Sequence, residues 1–258
     1  MLRAAVLVVL LAASHHALAG AWTLDRGKLK AFLVSTFTYG DHGFDSDGKL
    51  VTVPEYKKFE LTAAAEYGLR PWLTGLVKAE FREETLMRYL SPTVLAPTSQ
   101  SFGSGALGAR IRLHKAPAWV FSTEVTALSG GFETAGDPEP DSAAVEVRAL
   151  FGTEREIAGR RIYADVQAGL RKNFDADASD EIKVDVTVGA QLLPRWLILA
   201  QTFSTFELAG DVQYHKVSGS VVHRLSDRLQ VEVSALTTLY GRDALREIGG
   251  RVGFWYAY

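Results

Sequence analysis

Four histidines stand outside the N-terminal segment, His42, His114, His215 and His223. Histidine is the side chain best suited to act as a base or metal ligand near neutral pH. What they can do depends on spacing. His215 sits in Tyr214-His-Lys-Val-Ser-Gly-Ser220, and a lipid-cleaving site would need it to share a face with a serine or carboxylate. On a strand, residues three apart point to opposite sides, so His215 and Ser218 do not converge. His114 and His223 fall at turns and strand ends without metal-ligand spacing. Asp45-Ser-Asp47-Gly48 begins like a calcium loop, but its twelfth position is Tyr56 where that motif carries glutamate. Asp175, Asp177, Asp180 and Glu181 make an acidic link that either binds cations bridging lipopolysaccharide or is simply solvated. The chain has no cysteine, which excludes thiolate chemistry. No catalytic residue, metal or cofactor is expected.

A larger set of charged residues recurs every second position. Lys58, Glu60, Lys78, Glu80, Arg110, Arg112, Glu124, Glu146, Arg148, Asp165, Arg171, Lys183, Asp185, Glu232 and Arg251 alternate with apolar residues on the opposite parity. On strands, that pattern places charges of both signs on one face and an apolar surface on the other. Inward-facing charges would line a narrow wet lumen or pair off and fill it.

The elements needed to hold such a face are strands. Alternating segments of about ten residues recur from Leu29 to the C-terminus, the repeated signature of a membrane barrel. In one, Ile182, Val184, Val186, Val188 and Ala190 oppose Lys183, Asp185 and Thr187. Twelve segments are predicted. Two of them, Leu197–Leu208 and Tyr214–Val222, alternate poorly, the first beginning apolar on both faces. Short links (70–72, 114–118, 153–160, 194–196, 226–228) alternate with longer ones (40–56, 83–102, 128–141, 172–180, 207–211, 241–243). Short periplasmic and long extracellular links are expected of a barrel. A turn variant repeats as Leu69-Arg-Pro-Trp-Leu73, Leu193-Pro-Arg-Trp-Leu197 and Leu225-Ser-Asp-Arg-Leu229. It sets Trp72 and Trp196, with Trp119, at the periplasmic interface, where amphipathic rings are favoured. The 83–102 link carries Leu86, Met87, Tyr89, Leu90, Val94 and Leu95. Its apolar character predicts a segment folded over the mouth that favours apolar or aromatic solutes.

Residues 1–19 have the layout of a cleaved signal peptide. Arg3 precedes the apolar run Ala4–Ala13, and Ala17-Leu18-Ala19 precedes cleavage before Gly20. Ala19-Gly20-Ala21 offers a second site. The mature domain is then 20–258, with Ala21-Trp22-Thr23-Leu24 expected to be periplasmic and Trp22 near the interface. Hydrophobic residues make up 47% of the chain and charged residues 22%. Mean hydropathy is only +0.03, so helical spans of about 20 apolar residues are excluded. A net charge of −2 without a basic tract excludes nucleic acid as a partner.

The chain ends Arg251-Val-Gly-Phe-Trp-Tyr-Ala-Tyr258. Arg251, Gly253, Tyr256 and Tyr258 resemble the C-terminal assembly signal of Gram-negative outer-membrane proteins, which implies recognition by the barrel-assembly machinery. Gly20-Ala-Trp-Thr-Leu24, Phe44-Asp-Ser-Asp-Gly-Lys-Leu50, Tyr56-Lys-Lys-Phe-Glu-Leu61 and Glu66-Tyr-Gly-Leu69 are similar to the transporter-like family of the meta-pathway of phenol degradation. The expectation is an all-β, up-and-down antiparallel outer-membrane barrel of about twelve strands, acting as a narrow pore or small-molecule transport protein. A lipid-modifying hydrolase is the alternative, as is a structural barrel whose loops bind lipopolysaccharide or a partner.

Overall fold

The computed structural model describes residues 20–91, 94–130, 132–135, 143–175 and 178–258. The signal-peptide segment 1–19 and Asp177 of the acidic link lie outside the described residues. The strands are β1 (Leu29–Phe44), β2 (Leu50–Arg70), β3 (Leu73–Ser91), β4 (Val94–Lys115), β5 (Trp119–Leu128), β6 (Phe132–Ala135), β7 (Ala144–Ile157), β8 (Arg160–Asn173), β9 (Glu181–Leu193), β10 (Trp196–Glu207), β11 (Gln213–Arg224), β12 (Leu229–Arg242) and β13 (Ala244–Ala257). Each long strand pairs antiparallel with its chain neighbours, and β1 pairs with β13, as Ser35 against Val252. The β3–β4 ladder completes a closed twelve-stranded barrel. Where the twelve strands pair round the circle, closure leaves no edge and the backbone groups are satisfied within the wall. The seam is tight at the chain's end, where Leu29 and Tyr258 exchange N–H···O bonds of 3.1 and 2.9 Å.

Alternation decides the two faces. On β12, Glu232 and Ser234 are buried while Val233 between them is 58% exposed. The outward row continues with Leu107, Leu239 and Ile248, all more than 60% exposed. Large apolar groups facing outward over buried polar ones invert the soluble pattern and suit a lipid surround. At the end where β1 begins and β13 stops, here the lower end, the links are short. Ala158 and Gly159 join β7 to β8 with φ of 52° and 70°, the left-handed pair that a two-residue hairpin turn requires. Trp72, Trp119 and Trp196 project outward at this level. His114 stacks on Trp119 at 4.6 Å and His223 packs on Trp196 at 4.2 Å. Both histidines therefore belong to an aromatic girdle.

The upper end differs from expectation. β2, β3 and β4 are 21, 19 and 22 residues long, about twice the 9–11 residues that a tilted membrane strand needs. The expected long links at 40–56 and 83–102 are instead largely paired strand. Phe59↔Glu83, Thr85↔Ser99 and Met87↔Pro97 are register partners along the ladders. The 83–102 stretch is a hairpin continuing the wall upward and does not fold over the mouth. A ladder satisfies its backbone groups without needing the lumen. β6 prolongs the line of β5, pairing with β4 at Gly103↔Phe132 above the point where β5 ends at Ala106↔Leu128. Asp45 does turn chemistry at the top of β1. Its Oδ1 accepts the N–H of Asp47 at 3.0 Å and of Lys49 at 2.8 Å, and Gly48 takes φ 76°. Among the described residues no cluster of metal-ligating side chains occurs.

Candidate functional site: the lumen and its N-terminal plug

The chain enters the barrel before it forms it. Gly27 donates to the Gly68 carbonyl at 2.8 Å and Gly68 returns a bond to Lys28, pinning the approach to β2. Thr23 Oγ1 then donates to the Pro71 carbonyl at 2.7 Å, and the Leu24 N–H donates to Thr74 Oγ1 at 2.8 Å. Beyond this the segment lies inside the lumen. Ser122 Oγ donates to the Ala21 carbonyl at 2.6 Å, Arg110 donates to the Trp22 carbonyl at 3.2 Å, and the Ala21 N–H donates to Asp165 Oδ2 at 3.1 Å. Ala21 is fully buried. The expected interfacial position of Trp22 is thus corrected: its ring is a wedge inside the lower lumen.

The wall is built to receive that ring. Ala21, Val120 and Leu150 form one buried apolar cluster and Tyr163, Leu199, Val222 and Trp255 another, with Trp22 packed against both. Gly152 supplies room, since a Cβ there would come within 2.4 Å of the Trp22 ring. The same contacts explain the weak alternation of β10 and β11. Leu197, Leu199 and Val222 face this cluster, so apolar residues occupy both parities.

Above the plug, inward charges pair both along and across strands. Arg110 bridges Glu66 at 3.1 Å and Glu124 at 2.9 Å. Arg148 holds Asp185 at 2.6 Å and Glu146, and Lys183 reaches Glu181 at 3.0 Å and Glu146 at 3.7 Å. Arg171 lies 3.8 Å from Glu181, and Lys78 is 2.5 Å from Glu80. Arg251 bonds Glu232 and Gln201 at 3.0 Å and Ser234 at 3.2 Å. Lys58 lies 3.8 Å from Glu60 and 3.5 Å from Glu247, which Lys216 also holds. Arg112 shares the register of Arg110, opposite the buried Ser122. Lys216 and Gln201 join from the two strands whose alternation is poorest. The chamber left between these networks measures about 700 Å³ and is floored by Arg110, with Phe32 and Tyr214 among its walls.

On the outer face near the top, His215 meets a serine that spacing along one strand does not reveal. Ser204 and His215 are register partners across β10 and β11, with Oγ and Nδ1 2.9 Å apart. The convergence expected to fail with Ser218 therefore occurs with Ser204. Behind the imidazole stand Phe206 at 5.3 Å and Tyr240 at 6.0 Å between ring centres. Among the described residues no carboxylate or amide orients it, and a triad needs that third group. In the upper acidic link, Asp180 accepts from Lys172 Nζ at 2.8 Å and from the Asn173 N–H at 3.0 Å. These donors hold its carboxyl below the usual range.

At the seam, Tyr256 and Tyr258 face outward while Arg251 and Gly253 lie on the lumen side, and Arg228 lies over the Tyr258 ring at 4.9 Å.

No family model and no curated protein sequence matches the chain. Among solved structures it is similar to an outer membrane channel from Pseudomonas putida F1, with TM-score 0.65 and 10% identity over 93% of this chain and 98% of that one. It is similar to the translocator domain of the autotransporter NalP from Neisseria meningitidis, with TM-score 0.52 and 11% identity over 89% and 88% of the two chains. The KdgM porin follows with TM-score 0.51 and 9% identity over 87% and 99%. The fold is that of a twelve-stranded outer-membrane β-barrel.

Proposed function

We propose that the protein is a narrow outer-membrane pore for small polar or zwitterionic solutes, closed at its periplasmic end by its own N-terminal segment. The observation that carries this is the chamber of about 700 Å³ walled by ion pairs of both signs and floored by Arg110, which itself holds the Trp22 carbonyl of the plug. A site of that volume takes a small molecule. Its charges of both signs match a zwitterion better than an apolar solute, because an apolar solute would displace water from these charges and offer them no partner in return. The expectation of apolar or aromatic solutes rested on the 83–102 stretch as a lid, and that stretch is wall. Liposome swelling tests the reading: with residues 20–25 removed, amino acids should enter measurably faster than with the full mature chain. Equal, negligible swelling by both proteins would make the barrel a filled structural one.

The finer likeness to the transporter-like family of the meta-pathway of phenol degradation rests on the sequence segments alone. Lipopolysaccharide around the outward apolar face, and the assembly machinery reading Arg251, Gly253, Tyr256 and Tyr258, complete the proposed partners. The hydrolase reading has one observation in its favour, the Ser204–His215 contact. It lacks the orienting group.

A further inference from the structure

Asp165 is an anomaly among the buried carboxylates of the lumen. Glu232 is 4% exposed and paired with Arg251; Glu247 is 4% exposed and paired with Lys58 and Lys216; Glu146 is buried and paired with Arg148. Asp165 is the most buried of them at 1%, yet among the described residues no lysine or arginine lies within ion-pair distance of it. Its partners are the Ala21 N–H at 3.1 Å, the Gln167 side-chain amide at 2.7 Å, and the nitrogen of Gly20. A carboxylate taken out of water without a counter-charge is strongly disfavoured. Its hydrogen-bond partners are all neutral if residue 20 is joined to a preceding residue, and Arg110 acts on it only from beyond ion-pair distance.

We propose that Asp165 is the receptor for the α-ammonium group of a mature chain beginning at Gly20, so that the plug is latched only after the leader is removed. Hydrolysis of the Ala19–Gly20 amide by a signal peptidase adds water, leaving a carboxylate on Ala19 and an amine on Gly20. That amine carries a proton at neutral pH, since α-amino groups titrate at about 7.7–8.0. It then supplies the missing positive charge at the atom that already faces Asp165. A second observation fixes the residue: a Cβ at position 20 would fall 2.3 Å from Gln167 Nε2 and 3.4 Å from Leu150. A side chain there would have to push the Gln167 amide off Asp165, so the hydrogen-bonded arrangement favours glycine at this position. Ala17-Leu18-Ala19 is the cleavage motif that creates this terminus. The latch adds to the pore reading but does not depend on it.

The test uses protein purified from outer membranes. Intact mass should show a chain starting at Gly20. Its α-amine should react with an acylating reagent at neutral pH about tenfold more slowly than an exposed terminus, with Asp165→Asn restoring fast reaction. Inserting Ser-Gly between Ala19 and Gly20 keeps the cleavage motif and the amide and side-chain donors, and moves the charge two residues away, its added bulk being controlled by the same insertion in the Asp165→Asn background. That variant should leave the N-terminal segment about tenfold more open to trypsin at Arg26 and Lys28, and should do nothing further in the Asp165→Asn background. Heat-modifiable gel mobility verifies that each barrel is folded. A mature terminus elsewhere than Gly20, or an insertion that leaves trypsin protection unchanged, overturns the latch. Neither readout requires conductance, so a silent barrel would refute the pore and leave the latch standing.

Discussion

Arg110 shows how one residue ties the wall to its contents. It is 6% exposed and contacts Glu66, Glu124 and the Trp22 carbonyl. Removing one partner of a buried ion pair leaves charge unmatched, so Arg110→Ala should cost about 3–5 kcal/mol. Urea unfolding from lipid vesicles measures this, and replacing Arg110, Glu66 and Glu124 together by apolar residues should cost less. Its inward position was legible from period-two alternation. Its partners were not, because pairing across strands depends on register, which a single chain's alternation leaves open. Ser204 and His215 are the sharper case. They are eleven residues apart in sequence, and only the β10–β11 register brings them together. With Phe206 and Tyr240 where a triad would carry its third group, Ser204→Ala should not change phospholipid hydrolysis by the purified barrel. A fluorogenic phospholipid assay in mixed micelles checks it, and Ser204-dependent turnover would establish the hydrolase.

At the scale of elements, alternation identifies a strand where one face meets lipid and the other meets polar groups. Val186 is on the lipid side of β9 and Asp185 on the lumen side, held by Arg148. Val186→Arg should destabilise by about 2–4 kcal/mol near the midplane. Asp185→Ser should cost much less, because Arg148 keeps Glu146. Equal losses on unfolding from vesicles would reverse the facing. At the top of β2 the consecutive Leu50 and Val51 are both exposed, so neither parity is covered. The periodic signal fades there, and the hairpins read as links. It fades again on β10 and β11 for the opposite reason, an apolar plug on the inner side. Trp22 reads as an interfacial ring because its sequence neighbours say nothing about the socket. The available clue was the set of inward apolar residues Val120, Leu199, Val222 and Trp255 near the lower ends of their strands, with Leu150 midway along β7. The 174–180 link depends on pH through Asp180. A carboxyl whose folded value is depressed stabilises above its unfolded value of 3.8 and loses that contribution as pH falls through the folded one. The protection of the Asn173 amide, the slowing of its exchange relative to an unstructured amide at the same pH, should therefore be high at neutral pH and fall below about pH 4, while Asp180→Asn should make it low throughout.

For the whole molecule, the two ends have different duties, and deletion separates them. A twelve-stranded barrel is wider than the eight-stranded kind that side chains alone can fill. Here the lower lumen is closed by residues 20–25 and the upper lumen holds the chamber. The β3–β4 hairpin above it stands in the line of the wall, paired from Leu73↔Ile111 to Ser91↔Val94. It adds height without crossing the path. Shortening that hairpin by removing 89–97 should therefore leave single-channel conductance in planar bilayers within about twofold of the intact protein, since the ladder below it is untouched. Removing 20–25 should raise conductance severalfold, because it empties the space now held by Ala21 and Trp22. Gly152→Leu should act in the same direction as the plug deletion, its side chain occupying the place of the Trp22 ring. Combined with the deletion, Gly152→Leu should lower conductance slightly, because the ring is already gone and only the added bulk remains. If shortening the hairpin opened the channel and removing 20–25 did not, the constriction would lie at the upper mouth and the N-terminal segment would be a stabilising filling.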